Sequence, residues 1–321
     1  MKTKKLLLIP LIALLGACGA KDTTTTTDEP KEEQKEERKL SVISPAGAPA
    51  VAMSYLLNSE KASFETTSKP ALLKGYFAAK TYDVIVAPTD VGIKAIQEGC
   101  DYKLAATVTN GNFYLAATGE DTDGTLNAGD NIVLFQQGGL PDKIFHYIYG
   151  TDFDANITYV PSVAEAGTAY GAKEVSTADG TKVKADYVLL SEPKVTALNV
   201  TAESLTDLSA AFETKSQTSK IFQASVFVIN NKEPEVGNFL AATKENIEAM
   251  LADTTKMTAN MSKTEDPQAF FGIPPQMAKK ITDKNNGLAI TYMPAKDNKE
   301  AIKSYMNILG VQGVNDEVFY Q

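Results

Sequence analysis

The chain has 321 residues, 43% hydrophobic and 22% charged, and its 31 basic and 40 acidic groups give a net charge of −9. That length exceeds what one hydrophobic core usually fills, so two lobes are expected, and an acidic chain lacks the electrostatic footprint of a nucleic-acid binder. One His (His146) and two Cys (Cys18, Cys100) cannot build a Cys/His zinc site and leave little room for a Ser-His-Asp hydrolase, so neither a metal nor another cofactor is expected.

Residues 1–17 read MKTKKLLLIPLIALLGA: lysines 2, 4 and 5, then an apolar stretch of about ten residues, half the length a spanning helix needs. This is a signal-peptide pattern. Leu15-Gly16-Ala17-Cys18 resembles a bacterial lipobox, in which Cys18 is acylated (palmitate is the expected chain) and becomes the first mature residue. The alternative is an ordinary signal peptide that happens to precede a Cys. Removing the three lysines takes the net charge from −9 to −12. Residues 18–39 then form a lipidated Cys and a charged, low-hydrophobicity tether that cannot offset the entropy of ordering. The expected place is the extracytoplasmic face of a bacterial membrane, anchored by lipid with the body in water.

From Leu40 the pattern alternates. Leu40–Ser44 reads as a strand and Ala50–Leu57 as a helix; Asp83–Ala87 is a strand buried on both faces, followed by a helix over Val91–Glu98. Lys103–Val108 and Phe113–Thr118 are strands around a Thr-Asn-Gly-Asn turn. After a polar loop at 119–130, a second set begins. Its strands are Asn131–Phe135, Ile157–Val160 and Ala185–Leu190, with helices over Asp142–Tyr149, Val163–Ala169 and Lys194–Leu198. A return strand, Ala224–Ile229, leads into helices at 234–252, 267–283 and 296–309, the last two separated by a strand-like Leu288–Tyr292. The fold class is α/β, with parallel pairing and two lobes around a cleft.

Ligands of open α/β sheets bind beyond the carboxyl ends of strands, so the loops there carry the candidates. Ala48 and Pro49 follow Gly47, which either admits close backbone approach or simply turns the chain. Pro88, Thr89 and Asp90 either cap a helix or offer a hydroxyl and helix-start N–H groups to a ligand. Thr109 and Asn110 either bind ligand polar groups or form a turn near a hinge. Gln137, Gly138 and Gly139 make either an anion-binding nest or a tight strand-to-helix turn. Ser162 ends a strand in the second set. Glu192 is either an acceptor for a cationic or N–H-bearing ligand, or a cap. Tyr76, Phe77, Phe113 and Tyr114 are core residues or stacking faces, with Phe113 best placed. Arg38, the chain's one Arg by count, lies in the tether, so the body has no guanidinium fork for a carboxylate.

SPAGAPA after the opening strand, YDVIVAPTDVGIKAIQEG, YKLAATVTNGNFYLAATG, IVLFQQGGLPDKIFHYI, ADYVLLSEPKVTAL, VFVINNKEPEVGNFLAATKENIEAM and LAITYMPAKDNKEAIKSYMNILG occur in this order. Together with the lipobox they resemble the substrate-binding lipoproteins of ABC transporters. The branch is the nitrate/sulfonate/taurine and thiamine-precursor part of the type 2 periplasmic-binding-protein superfamily. The resemblance spans nearly all of 40–321. It implies the two-lobed fold of that superfamily, with 40–119 plus 225–321 as one lobe and 120–224 as the other. It also implies closure on a small molecule (a sulfonate-like anion or a planar pyrimidine-like solute), a monomer, and delivery to an ABC permease. It further implies that the Pro88–Asp90 loop lines the ligand. Two other readings stay open: a sensing or adhesive surface lipoprotein uncoupled from transport, and a pyrimidine-synthase-like enzyme, whose Cys-rich motif this chain lacks.

Overall fold

The computed structural model describes residues 39–119, 125–217, 220–230 and 234–321. The expected leader (1–17), the acylated Cys18 and the tether as far as 38 lie outside the described residues. Among the described residues no helix is long and apolar enough to cross a membrane.

The body opens with β1 (Leu40–Pro45), α1 (Ala48–Ala52), β2 (Ala62–Thr67), α2 (Leu73–Ala79), β3 (Val84–Pro88), α3 (Thr89–Gln97) and β4 (Tyr102–Asn110). The apolar runs of β1 and β3 pair in parallel, and β2 adds to the outer side of β1. The sequence reading left β2 and α2 unmarked, because β2 is an edge strand whose outer residues are polar. It also ran a helix through Ala50–Leu57, whereas α1 ends at Ala52 and a 3-10 turn covers Ser54–Asn58.

The second set comprises β5 (Phe113–Ala117), β6 (Asn131–Phe135), α4 (Leu140–Tyr149), β7 (Asn156–Val160), α5 (Val163–Ala172), β8 (Glu174–Ser176), β9 (Lys182–Lys184), β10 (Tyr187–Ser191), α6 (Lys194–Ala197), β11 (Leu205–Asp207) and α7 (Leu208–Ser216). The chain then returns through β12 (Phe222–Ile229), α8 (Pro234–Ala252), α9 (Thr254–Met261), α10 (Pro267–Phe271), α11 (Pro275–Asp283), β13 (Ile290–Pro294) and α12 (Lys299–Ile308). Gly272, at φ 71°, and Pro274 divide the stretch expected as one helix over 267–283 into α10 and α11.

Two sheets result, ordered β13-β4-β12-β3-β1-β2 and β11-β5-β10-β6-β7. The return strand β12 lies antiparallel between β3 and β4, so the direct parallel pairing expected of those two does not form. Phe113–Ala117, grouped with the first set in the sequence reading, is hydrogen-bonded into the second sheet.

These directions decide where the two sheets face each other. β4 runs the same way as β3, so its carboxyl end lies with those of β1 and β3. Two residues later β5 starts opposite Ser191, at the carboxyl end of β10. A two-residue crossover therefore joins the carboxyl end of one sheet to the carboxyl end of the other. Packing continues through this joint. Tyr305 on α12 packs edge-to-face against Phe222 of the first sheet and Phe212 of α7, with ring centroids 5.7 and 5.9 Å apart. All three side chains are fully buried, each contributing about 1.5–3 kcal/mol of transfer free energy.

Candidate functional site

The joint gathers some of the expected loops and not others. Ala224 of β12 pairs with both Pro88 and Thr109, so the ends of β3, β12 and β4 lie on neighbouring rungs. Phe222 pairs with Asn110 and Ala224 with Thr109, which leaves Gln223 as an extra residue in a β-bulge. Bulges re-aim a side chain. The Gln223 amide donates from Nε2 to Asn112 Oδ1 at 3.3 Å, and Asn112 Nδ2 donates to the Glu192 carbonyl at 3.5 Å. Gly111 sits between the crossovers: a Cβ there would meet Ile221 at 2.7 Å and the Ser209 hydroxyl at 2.9 Å, so only glycine permits this approach. Its carbonyl accepts from Ser209 Oγ at 2.7 Å.

Thr89 is buried, and its hydroxyl faces Ser225 Oγ at 2.7 Å; Ser225 in turn faces Thr107 Oγ1 at 2.9 Å. This three-hydroxyl chain ties the start of α3 to β12 and β4. Asp90 turns toward Lys94 (3.7 Å) on its own helix and toward Lys143 (4.0 Å) on α4, a contact from one sheet's covering helices to the other's.

Thr109 Oγ1, Asn110 Oδ1, Gln223 Oε1 and the Tyr305 hydroxyl are buried and have no hydrogen-bond partner within the protein. Thr109 is wholly inaccessible. Phe113 is buried and tilts against Phe135, centroids 6.5 Å apart, as a core residue. Phe77 is core as well, edge-on to Tyr102 and Phe227.

Glu192 follows β10, and its carboxylate accepts from the Thr196 backbone N–H (3.1 Å) and hydroxyl (2.8 Å). Burial raises its pKa; the Thr196 hydrogen bonds, then the charges of Lys284 and Lys280, oppose that shift. Tyr114 is pushed up to about 12 by burial, with the Asp207 and Glu192 charges adding to the shift.

The other candidates serve local roles. Gly47 N–H donates to the Phe271 carbonyl at 2.7 Å, tying the Ala48–Pro49 turn to α10. Ser162 Oγ accepts from Glu165 N–H and donates to Glu165 Oε2 at 2.8 Å, a side-chain N-cap on α5. In the Gln136–Gly139 turn, Gly139 cannot carry a Cβ, which would lie 2.8 Å from the Gln136 carbonyl. Gln137 and Gly138 are exposed, and Gly138 N–H donates to Asp142 Oδ2 at 2.7 Å. The nest-like turn is thus filled by the protein's own carboxylate. Asp142, 7% exposed, also accepts from Tyr159 OH at 2.9 Å and lies 3.2 Å from His146 Nε2.

Sequence reasoning missed Gln223 and Lys143, and reached Asn112 only as part of the Thr109–Asn112 turn. One signal was present: a lone amide near the start of the mostly apolar run Phe222–Ile229. A separate cavity of about 630 Å³ lies at the amino end of β4, lined among others by Gln97, Cys100, Asp101, Lys103 and Glu317. Three of its polar side chains are already paired, Gln97 with the Gln312 carbonyl, Lys103 with the Glu317 carbonyl and Asp101 with Lys80. The joint, with its unpartnered groups, is the stronger candidate.

No protein-family model and no curated protein matches the chain. Among solved structures it is similar to an ABC transporter protein from Parabacteroides distasonis, at 16% identity and a TM-score of 0.67, over 88% of this chain and 99% of that one. It is similar to the periplasmic aliphatic sulphonate binding protein of Escherichia coli, at 14% identity and a TM-score of 0.60, over 85% and 86% of the two chains. It also resembles the alkanesulfonate-binding protein of Xanthomonas axonopodis pv. citri bound to MOPS, at 12% identity and a TM-score of 0.53, over 86% and 94%. The shared feature is the fold: the two-lobed α/β architecture of the periplasmic binding proteins.

Proposed function

We propose that the chain is an extracytoplasmic solute-binding lipoprotein, a binding protein rather than an enzyme. It captures a small molecule between two lobes and delivers it to an ABC permease. The observation that carries this reading is the crossover at 111–112, which turns the carboxyl ends of both sheets toward one joint lined by unpartnered polar groups. Open α/β sheets bind ligands at such ends, and the fold neighbours named above include sulfonate-binding proteins.

In this reading each sheet is the core of one lobe, the lobes hinge at 111–112 and at the return into β12, and ligand shifts the population toward the closed form. The acylated Cys18 holds the protein, as a monomer, at the outer face of the membrane, supported by the lipobox-like Leu15–Cys18 and the polar stretch that follows. The site residues proposed are Pro88, Asp90, Thr109, Asn110, Asn112, Glu192 and Gln223.

Mass spectrometry of what the purified protein carries, paired with uptake of that compound by cells with and without the gene, tests the reading. A bound small molecule whose uptake disappears on deletion is the expected result. Binding with unchanged uptake leaves a sensor; no bound molecule, and none bound from metabolite extracts, overturns solute capture. A Cys18→Ala chain should leave the membrane fraction, and membrane retention would remove the lipid anchor.

A further inference from the structure

The polar groups at the joint divide unevenly between donors and acceptors. Two of the donors the sequence offered for an anion are committed elsewhere. Gly138 N–H serves Asp142, and the Thr89 hydroxyl belongs to the chain through Ser225 and Thr107. The body offers no guanidinium, since Arg38 precedes the first strand. Lys280 and Lys284 act on Glu192 only from exposed positions, where solvent screens them.

Of the buried groups left over, the Gln223 and Asn110 amide oxygens can only accept, while the Thr109 and Tyr305 hydroxyls can accept or donate. The orientation of the Gln223 amide follows from its partners. The Glu192 carbonyl can only accept, so Asn112 presents Nδ2 to it and Oδ1 to Gln223. Gln223 must then present Nε2 to Asn112, which leaves Oε1 as a buried, unpaired acceptor. Asn110 Oδ1 and Thr109 Oγ1, also buried and unpaired, lie on the adjacent rungs of the same strand pair. A buried acceptor without a donor is costly and is ordinarily satisfied. Glu192 adds a carboxylate whose two oxygens have spent two of about four lone-pair positions on Thr196.

The geometry points to a ligand that presents N–H donors, an amine, an amidine or an amino-substituted ring, in place of an oxyanion such as a sulfonate. This inference rests on the solute-capture reading and specifies its ligand chemistry. Gln223 Oε1 and Asn110 Oδ1 would accept from the ligand's nitrogens, and the Thr109 hydroxyl from a third N–H.

The test is calorimetry and thermal shift on the purified full-length protein with two probe sets. Butylamine, acetamidine and 4-aminopyrimidine form one; ethanesulfonate, MOPS and inorganic phosphate form the other. Binding from the first set is expected. Gln223→Leu should weaken the best binder roughly 10- to 100-fold, the loss of one hydrogen bond to a charged or polar donor. Gln223→Glu should tighten the cationic probes. Binding confined to the oxyanion set overturns the inference and leaves solute capture standing, as does a Gln223→Leu affinity within twofold of wild type. Silence from both sets, with nothing co-purified, overturns solute capture and this inference together.

Discussion

The Gln136–Gly139 turn and the 109–112 crossover close the carboxyl ends of the two sheets in opposite ways. The turn is self-sufficient: one buried carboxylate, Asp142, takes the Gly138 N–H and the Tyr159 hydroxyl and sits against His146. The crossover leaves Thr109, Asn110 and Gln223 with unpaired buried atoms. Satisfied polar groups rigidify a fold, and unsatisfied buried ones are ordinarily met by a water, an ion or a ligand. The first region is scaffold and the second is the place to look for a ligand.

The comparison breaks most visibly at Asp142. Asp142→Ala leaves the Gly138 N–H and the Tyr159 hydroxyl without this acceptor, and should cost roughly 1–3 kcal/mol in urea unfolding. A loss under about 0.5 kcal/mol would mean the turn is not held as described.

A sharper contrast lies on β4, where two threonines stand two positions apart, both fully buried. Thr107→Val removes a hydroxyl that Ser225 uses, at about 1–3 kcal/mol. Thr109→Val removes one that nothing in the protein uses, and should be neutral or stabilising by up to about 1 kcal/mol. Equal destabilisation of the two would erase the distinction between scaffold and site.

The smallest effect concerns Glu192. Burial raises its carboxyl above the ordinary 4.5, so the folded chain holds that proton more tightly than the unfolded chain does. Its contribution to stability is therefore full below the ordinary value and lost as pH rises through the raised one. Gln does not titrate, and its amide oxygen still accepts from Thr196. The melting temperature of Glu192→Gln relative to wild type should rise between about pH 4 and about pH 7. A flat or falling difference would show that the carboxylate is well solvated.

Much of the fold was legible. The runs at Val84–Ala87, Ile132–Phe135 and Val188–Leu190 are apolar throughout because they are buried on both faces, and Pro234–Ala252 is the helix its pattern indicates. Three things were not. β2 alternates weakly, as an edge strand does. β12 inserts between β3 and β4, a pairing set by residues more than a hundred positions away. Phe113–Ala117 joins the second sheet, which nothing in FYLAA signals. At the site, the Thr109–Asn112 turn was visible as a turn, and Glu192 as a carboxylate ending a strand. Gln223 was not, because a bulge is a property of two strands in register.

The sequence by itself determined the two α/β sets, their apolar strands and a body without arginine, since these are local pattern and composition. Only the tertiary structure decided which polar groups are spent. Thr107 and Thr109 are the same residue on the same strand; one meets Ser225, 118 positions along the chain, and the other meets no partner. Hydrogen bonding is a pairwise property at about 3 Å, and the partner is supplied by the fold.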